Sequence, residues 1–134
     1  EKDSGYILNV ASSAGFMAGP RLSTYYATKN YVLKLTMAIN EELRQSGSHV
    51  VVSALCPGPV NTNFNKVANG EFSIKEASPK YVAEYAINKM FKKKMIIVPT
   101  LRIKLGIFLL RLIPYRLQLI YCYHIQGKKL GIKK

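Results

Sequence analysis

Seven consecutive residues constrain this chain more than any others. Val50-Val51-Val52-Ser53-Ala54-Leu55-Cys56 is apolar or small throughout, without the alternation of a strand that has one wet face, and Pro57-Gly58-Pro59 ends it. Such a run reads as a strand buried on both faces, so other elements must cover it from above and below. Tyr6-Ile7-Leu8-Asn9-Val10 is a second buried-type strand, running into the small, polar stretch Ala11-Ser12-Ser13-Ala14-Gly15. Between the two, Tyr25, Tyr26, Val32, Leu33, Ile39 and Leu43 recur at helical spacing. Ser23 or Thr24 is the expected N-cap and Ser46-Gly47 the expected stop. Ser78-Pro79 opens another helix with Val82, Tyr85, Ala86 and Met90 on one face, and Lys92 to Lys94 suit its dipole at the far end. Met95-Ile96-Ile97-Val98 reads as a third strand stopped by Pro99, whereas Asn61 to Ala77 reads as a loop with short helical pieces. Strands alternating with helices predict an α/β fold, an open parallel sheet with helices on both faces.

Charge divides the chain. Its 134 residues carry 20 Lys and Arg against 7 Asp and Glu, net +13, but residues 92–134 hold 11 of the basic side chains and no acidic one. The expected organisation is a nearly neutral α/β unit over 1–99 followed by a basic, aliphatic tail over 100–134. With 49% apolar residues the chain is no disordered polycation, and its length permits a core without metal or disulfide. Cys56 and Cys122 stand apart, and neither His49 nor His124 has a partner at metal-ligand spacing, so no metal site is expected. A reducing, cytoplasmic setting follows from that cysteine usage. Glu1-Lys2-Asp3-Ser4-Gly5 offers neither an initiator Met nor an apolar signal and reads as the interior of a longer protein.

In open α/β sheets ligands bind beyond the carboxyl ends of the strands. Three special clusters fall there: Ser12-Ser13, the start of the long helix from Tyr25 to Lys29, and Pro57 to Thr62. Positions i and i+4 share a helix face, so the Tyr25 phenol and the Lys29 ammonium share one environment. A free tyrosine titrates near about 10, and a neighbouring cation lowers such a value by about 1 to 3 units. That makes Tyr25 a candidate general acid or base. Tyr26, at i+3 from Lys29, meets the same geometric test, so helical spacing alone does not choose between them.

Taken together, Ile7-Leu8-Asn9-Val10-Ala11-Ser12-Ser13-Ala14-Gly15, Tyr25-Tyr26-Ala27-Thr28-Lys29 and Pro57-Gly58-Pro59-Val60-Asn61-Thr62 resemble the carboxyl-terminal half of a short-chain dehydrogenase/reductase. The likeness is specific from about Gly5 to Phe64 and looser to Val98, and none is claimed beyond Pro99. It implies the C-terminal half of a Rossmann-type doubly wound parallel sheet. By that resemblance Tyr25 is the proton-transferring tyrosine, Lys29 its lysine, and Ser12, thirteen residues before Tyr25, the substrate-orienting serine. Cofactor contacts are implied for Tyr25, Lys29, Pro57, Gly58, Val60 and Thr62. The implied reaction interconverts a ketone, lipophilic or 3-oxoacyl, and a secondary alcohol, with NAD or NADP as hydride carrier and NADPH slightly favoured. Ala11 replaces a serine common in the family, and Tyr26 is bulkier than the usual residue. The glycine-rich phosphate turn and the catalytic asparagine would lie upstream, so these residues alone are expected to be inactive and to hold dinucleotide weakly.

The tail threads Arg102, Lys104, Arg111 and Arg116 through aliphatic residues and is interrupted by Pro114. Its longest uncharged run, Leu117 to Gly127, is too short for a membrane span of about 20 apolar residues. Three readings stay open: a helix over the substrate mouth or a homo-oligomer contact, a basic helix lying peripherally on an anionic membrane, or a nucleic-acid contact. The rival to an enzyme is a non-catalytic association module whose tail binds membrane or nucleic acid.

Overall fold

The computed structural model describes residues 2–63 and 76–129. Strand β1 (Ser4–Val10) leads through a short 3-10 turn (Ser13–Phe16) to helix α1 (Ser23–Gln45) and strand β2 (His49–Leu55). Helix α2 (Pro79–Phe91), the two-residue strand β3 (Ile96–Ile97), helix α3 (Leu101–Leu110) and helix α4 (Tyr115–Lys129) follow. The sheet order is β1-β2-β3 with both pairings parallel, Tyr6 standing opposite Val51 and Leu55 opposite Ile97. The expected α/β class and parallel sheet are therefore observed, with β2 central.

Alternation along β2 explains why its sequence has no polar face. Leu55 packs with Val82, Ala86 and Met90 of α2, whereas Ala54 and Cys56 pack with Leu33 of α1. β3 divides the same way, Ile97 toward α2 and Ile96 toward the α1 side. Each helix thus buries one face of the sheet. Burial pushes the Cys56 thiol up to about 12, in keeping with a small apolar filler. Thr36, fully buried, donates to the Val32 carbonyl at 2.7 Å and accepts from Asn9 Nδ2 at 2.9 Å, pinning α1 to β1.

The expected Ser23 or Thr24 cap is not formed. Ser23 is already helical, Leu22 holds the N-cap position, and no side chain caps α1. Ser78 precedes Pro79 as expected, again without a side-chain capping bond. Beyond β2, Asn61 N donates to Ala77 O at 3.0 Å and Ala77 N to Pro59 O at 2.9 Å, so the segment returns to its starting point. Most of the loop expected from Asn61 to Ala77, including its short helical pieces, lies outside the described residues. Pro114 separates α3 from α4, and among the described residues no helix is long and apolar enough to cross a membrane.

The ends of α1 and α2 repeat one motif. At α1, Ser48 N reaches Leu43 O and Gly47 N reaches Arg44 O; at α2, Lys94 N reaches Lys89 O and Lys93 N reaches Met90 O. Both closures require a left-handed residue after the cap, with φ +72 at Gly47 and 55 at Lys93. A Cβ at Gly47 would meet no atom within 4 Å, so an alanine there costs backbone strain alone. Gly47→Ala should lower stability by about 1 kcal/mol and Lys93→Gly should raise it by a similar amount. Opposite shifts of the urea midpoint check the pair.

Candidate active site

The site is assembled at the carboxyl end of β1. Ser12 is extended, φ −172, and its buried Oγ accepts from Ala14 N at 3.1 Å, capping the 3-10 turn. That contact uses an acceptor lone pair and leaves the hydroxyl proton to donate elsewhere. Nearly two turns inside α1, Lys29 Nζ donates to Val10 O at 3.1 Å, two residues before Ser12, and lies 5.9 Å from the centre of the Tyr25 ring. Tyr25 and Lys29 therefore share a helix face directed at the end of β1, and both are half-buried.

Two further ties hold this corner together. Gly15 packs against α1 so closely that a Cβ would stand 2.8 Å from Lys29 O. Asn30 Nδ2 donates to Ala14 O at 3.2 Å, Met17 O at 2.9 Å and Tyr26 O at 2.9 Å, sharing two hydrogens among three carbonyls. Ser13 N donates to Pro57 O at 2.8 Å and joins the first cluster to the turn after β2. The close approach that Gly58 permits is made by Ile103 of α3, whose Cγ1 and Cδ1 lie 2.7 and 2.8 Å from the place of a Cβ. Val60 bridges Ala77, and Thr62 is exposed just beyond that bridge. Among the described residues no group of His, Cys, Asp and Glu forms a metal cluster.

The two tyrosines, equivalent by helical spacing, occupy different environments. Tyr26 is buried with Ala14 and Cys122, its ring fills the place of a side chain at Gly19, and its hydroxyl accepts from the buried Gln126 Nε2 at 2.6 Å. Burial, reinforced by Cys122, holds the Tyr26 phenol above the usual tyrosine range. Tyr26 is thus occupied in fastening α4. Arg21 assists, with its guanidinium carbon 3.9 Å from the centre of the Tyr123 ring and its side chain against Gly127. Arg21 adopts φ 73, a left-handed conformation just before α1.

Asn30, Arg21 and Gln126 escape a reading of the sequence. Asn30 carries the only local signal, an amide on the side of α1 one residue beyond Lys29. Gln126 lies 100 residues from its partner, where no short-range pattern reaches.

The Tyr26 proton sets a pH dependence. The native state retains it while the unfolded chain loses it near about pH 10, so this group makes stability fall as pH rises above that point. The slope reaches at most about 1.4 kcal/mol per pH unit. Urea denaturation from about pH 9 to 11 should show the decline, and Tyr26→Phe should lessen it.

Residues 1–71 match the family model described as short chain dehydrogenase. Over 64 residues the chain is 38% identical to Dehydrogenase/reductase SDR family member 11 of Bos taurus, a match covering 46% of this chain and 25% of that protein. Over 62 residues it is 40% identical to a D-beta-hydroxybutyrate dehydrogenase of Rhizobium meliloti (strain 1021), covering 46% and 23%. A short-chain dehydrogenase from Sphingobium yanoikuyae, solved in complex with NADPH, superimposes with a TM-score of 0.62 at 26% identity over 74% of this chain and 39% of that one. The chain spans less than half the length of these relatives. The family model covers more than half of the chain, from β1 through the turn after β2, and the parallel sheet agrees with the solved fold: the chain belongs to the short-chain dehydrogenase family.

Proposed function

We propose that this chain is the substrate-facing half of an NAD(P)-dependent oxidoreductase that interconverts a ketone and a secondary alcohol. The observation that carries the proposal is the corner at the end of β1, where Lys29 grips Val10 O, Tyr25 stands one helical turn away, and Ser12 is held by Ala14 N. The Rhizobium relative is named for a hydroxybutyrate substrate, which is a secondary alcohol and fits this class.

The donor set suits the nicotinamide end of a dinucleotide. Lys29 offers ammonium protons to ribose hydroxyls, and Gly58, whose missing Cβ admits Ile103, sets backbone and an apolar side chain at the same end. Pro57, Val60 and Thr62 border the same end, whereas the chain has no glycine-rich turn for the phosphates. When bound, the nicotinamide supplies or accepts the hydride.

The chain's own residues do the rest. Ser12 donates its hydroxyl proton to the substrate oxygen and stabilises the charge growing there. Tyr25 gives its phenolic proton to that oxygen in reduction and takes it back in oxidation. Lys29 places positive charge on the face from which the proton moves. Ile103 at Gly58, and Ile107 with Phe16 along the neighbouring groove, set apolar side chains beside the site, which favours a lipophilic or acyl-chain carbonyl.

In the intact enzyme Tyr25→Phe should lower kcat by about a thousandfold or more, with the cofactor Kd nearly unchanged. Tyr26→Phe, altering only a buried fastening, should retain most of the turnover. Steady-state kinetics with cofactor titration check both, and retained activity in Tyr25→Phe would sink the assignment.

A further inference from the structure

We propose that the outward face of α3, continued by the turn at Pro114 and the first turns of α4, docks on an anionic lipid bilayer. The proposal is independent of the oxidoreductase reading. Helix α3 is apolar on two sides. Ile103 and Ile107 face the body, one against Gly58 and the other in a groove with Phe16. Leu101, Leu105, Phe108 and Leu109 lie in an arc of about 100° on the other side, between 48% and 80% exposed, with Phe108 at the edge where it also borders that groove. Leu112, Leu117 and Tyr121 extend the exposed apolar surface through the turn, at 71%, 56% and 63%.

Cations border that stripe on both sides. By helical geometry Arg102 falls on one edge and Lys104 on the other, and Arg111 follows Lys104 about two turns later. Lys104 and Arg111 also line a groove of about 350 Å³ together with Lys89 and Lys94. Residues 92–134 hold 11 Lys and Arg and no Asp or Glu. An apolar stripe flanked by long basic side chains suits a helix lying in a bilayer interface, its aliphatic face among the acyl chains and its cations rising to lipid phosphates.

Charge selects the occupant. A second copy docked face to face would oppose the same cations to themselves, a repulsion with no acidic residue in this region to offset it. A nucleic acid would satisfy the cations and leave the aliphatic stripe in water. An anionic bilayer satisfies both parts at once, and with no described helix both long and apolar enough to cross it, the proposed contact is peripheral.

The test is co-sedimentation of the intact protein with vesicles of phosphatidylcholine alone and of phosphatidylcholine with about one third phosphatidylserine. Binding to the anionic vesicles should be at least about tenfold stronger and should weaken as salt is raised. Replacing Arg102, Arg111 and Arg116 with Gln should abolish the difference. Leu105→Ser with Phe108→Ser should weaken binding at least about tenfold even at low salt, separating insertion from surface attraction. All five side chains are exposed, and an unchanged circular dichroism spectrum verifies the fold of each variant. Equal binding to both vesicle types, or none to either, overturns the proposal. So does a dimer on gel filtration that Leu105→Ser with Phe108→Ser dissociates, or tighter binding to a single-stranded oligonucleotide than to anionic vesicles.

Discussion

The grip of Lys29 on the Val10 carbonyl is the contact on which the rest of the site depends. It joins a helix to the strand end that precedes the serine loop, at 3.1 Å and across 19 residues. The absence of a side chain at Gly15 lets α1 come close enough for that bond, and Asn30 ties the same loop to α1 through two carbonyls, Ala14 O and Met17 O. Ser13 N on Pro57 O then couples the corner to the central strand. The proposed chemistry needs its groups held closely, and most of the holding is done by backbone carbonyls of β1, the serine loop, α1 and the turn after β2.

Helix α4 gives the corner a second support. Its Gln126 and Cys122 enclose Tyr26, the residue next to Tyr25, while Arg21 lies over Tyr123. The bulk of Tyr26 is accommodated because Gly19 leaves room for its ring. A bulky side chain near the start of α1 and a helix about 100 residues later thus fit each other. The same two C-terminal helices turn an apolar, basic surface outward, so one side steadies the protein interior while the other is free to meet a partner.

Much of the fold was legible because its signals are local. The unbroken apolar run from Val50 to Cys56 announced a strand covered twice, and α1 and α2 each cover one face of it. Gly47 marked the end of α1 through its positive φ. The misread cap at Ser23 has a local cause as well: the left-handed turn at Arg21 brings Leu22 to the N-cap position, and helix formation starts one residue sooner. Expectations across most of the span from Asn61 to Ala77 fall on residues outside the description.

By itself the sequence determined the order of strands and helices, the parallel sheet, the family pattern, and the spacing that sets Tyr25 one turn before Lys29. The family pattern is a resemblance carried by three ordered motifs; the others follow from periodicity, chain stiffness and turn chemistry, all of which act over a few residues. The resemblance, through a serine thirteen residues upstream, already favoured Tyr25 over Tyr26; only the tertiary structure supplied the physical difference, the burial of Tyr26 against Cys122 and Gln126, about 100 residues on. Only it divided α3 into a face against Gly58 and a face left in water. An apolar side chain has the same composition in either place, and what surrounds it is a property of the assembled fold.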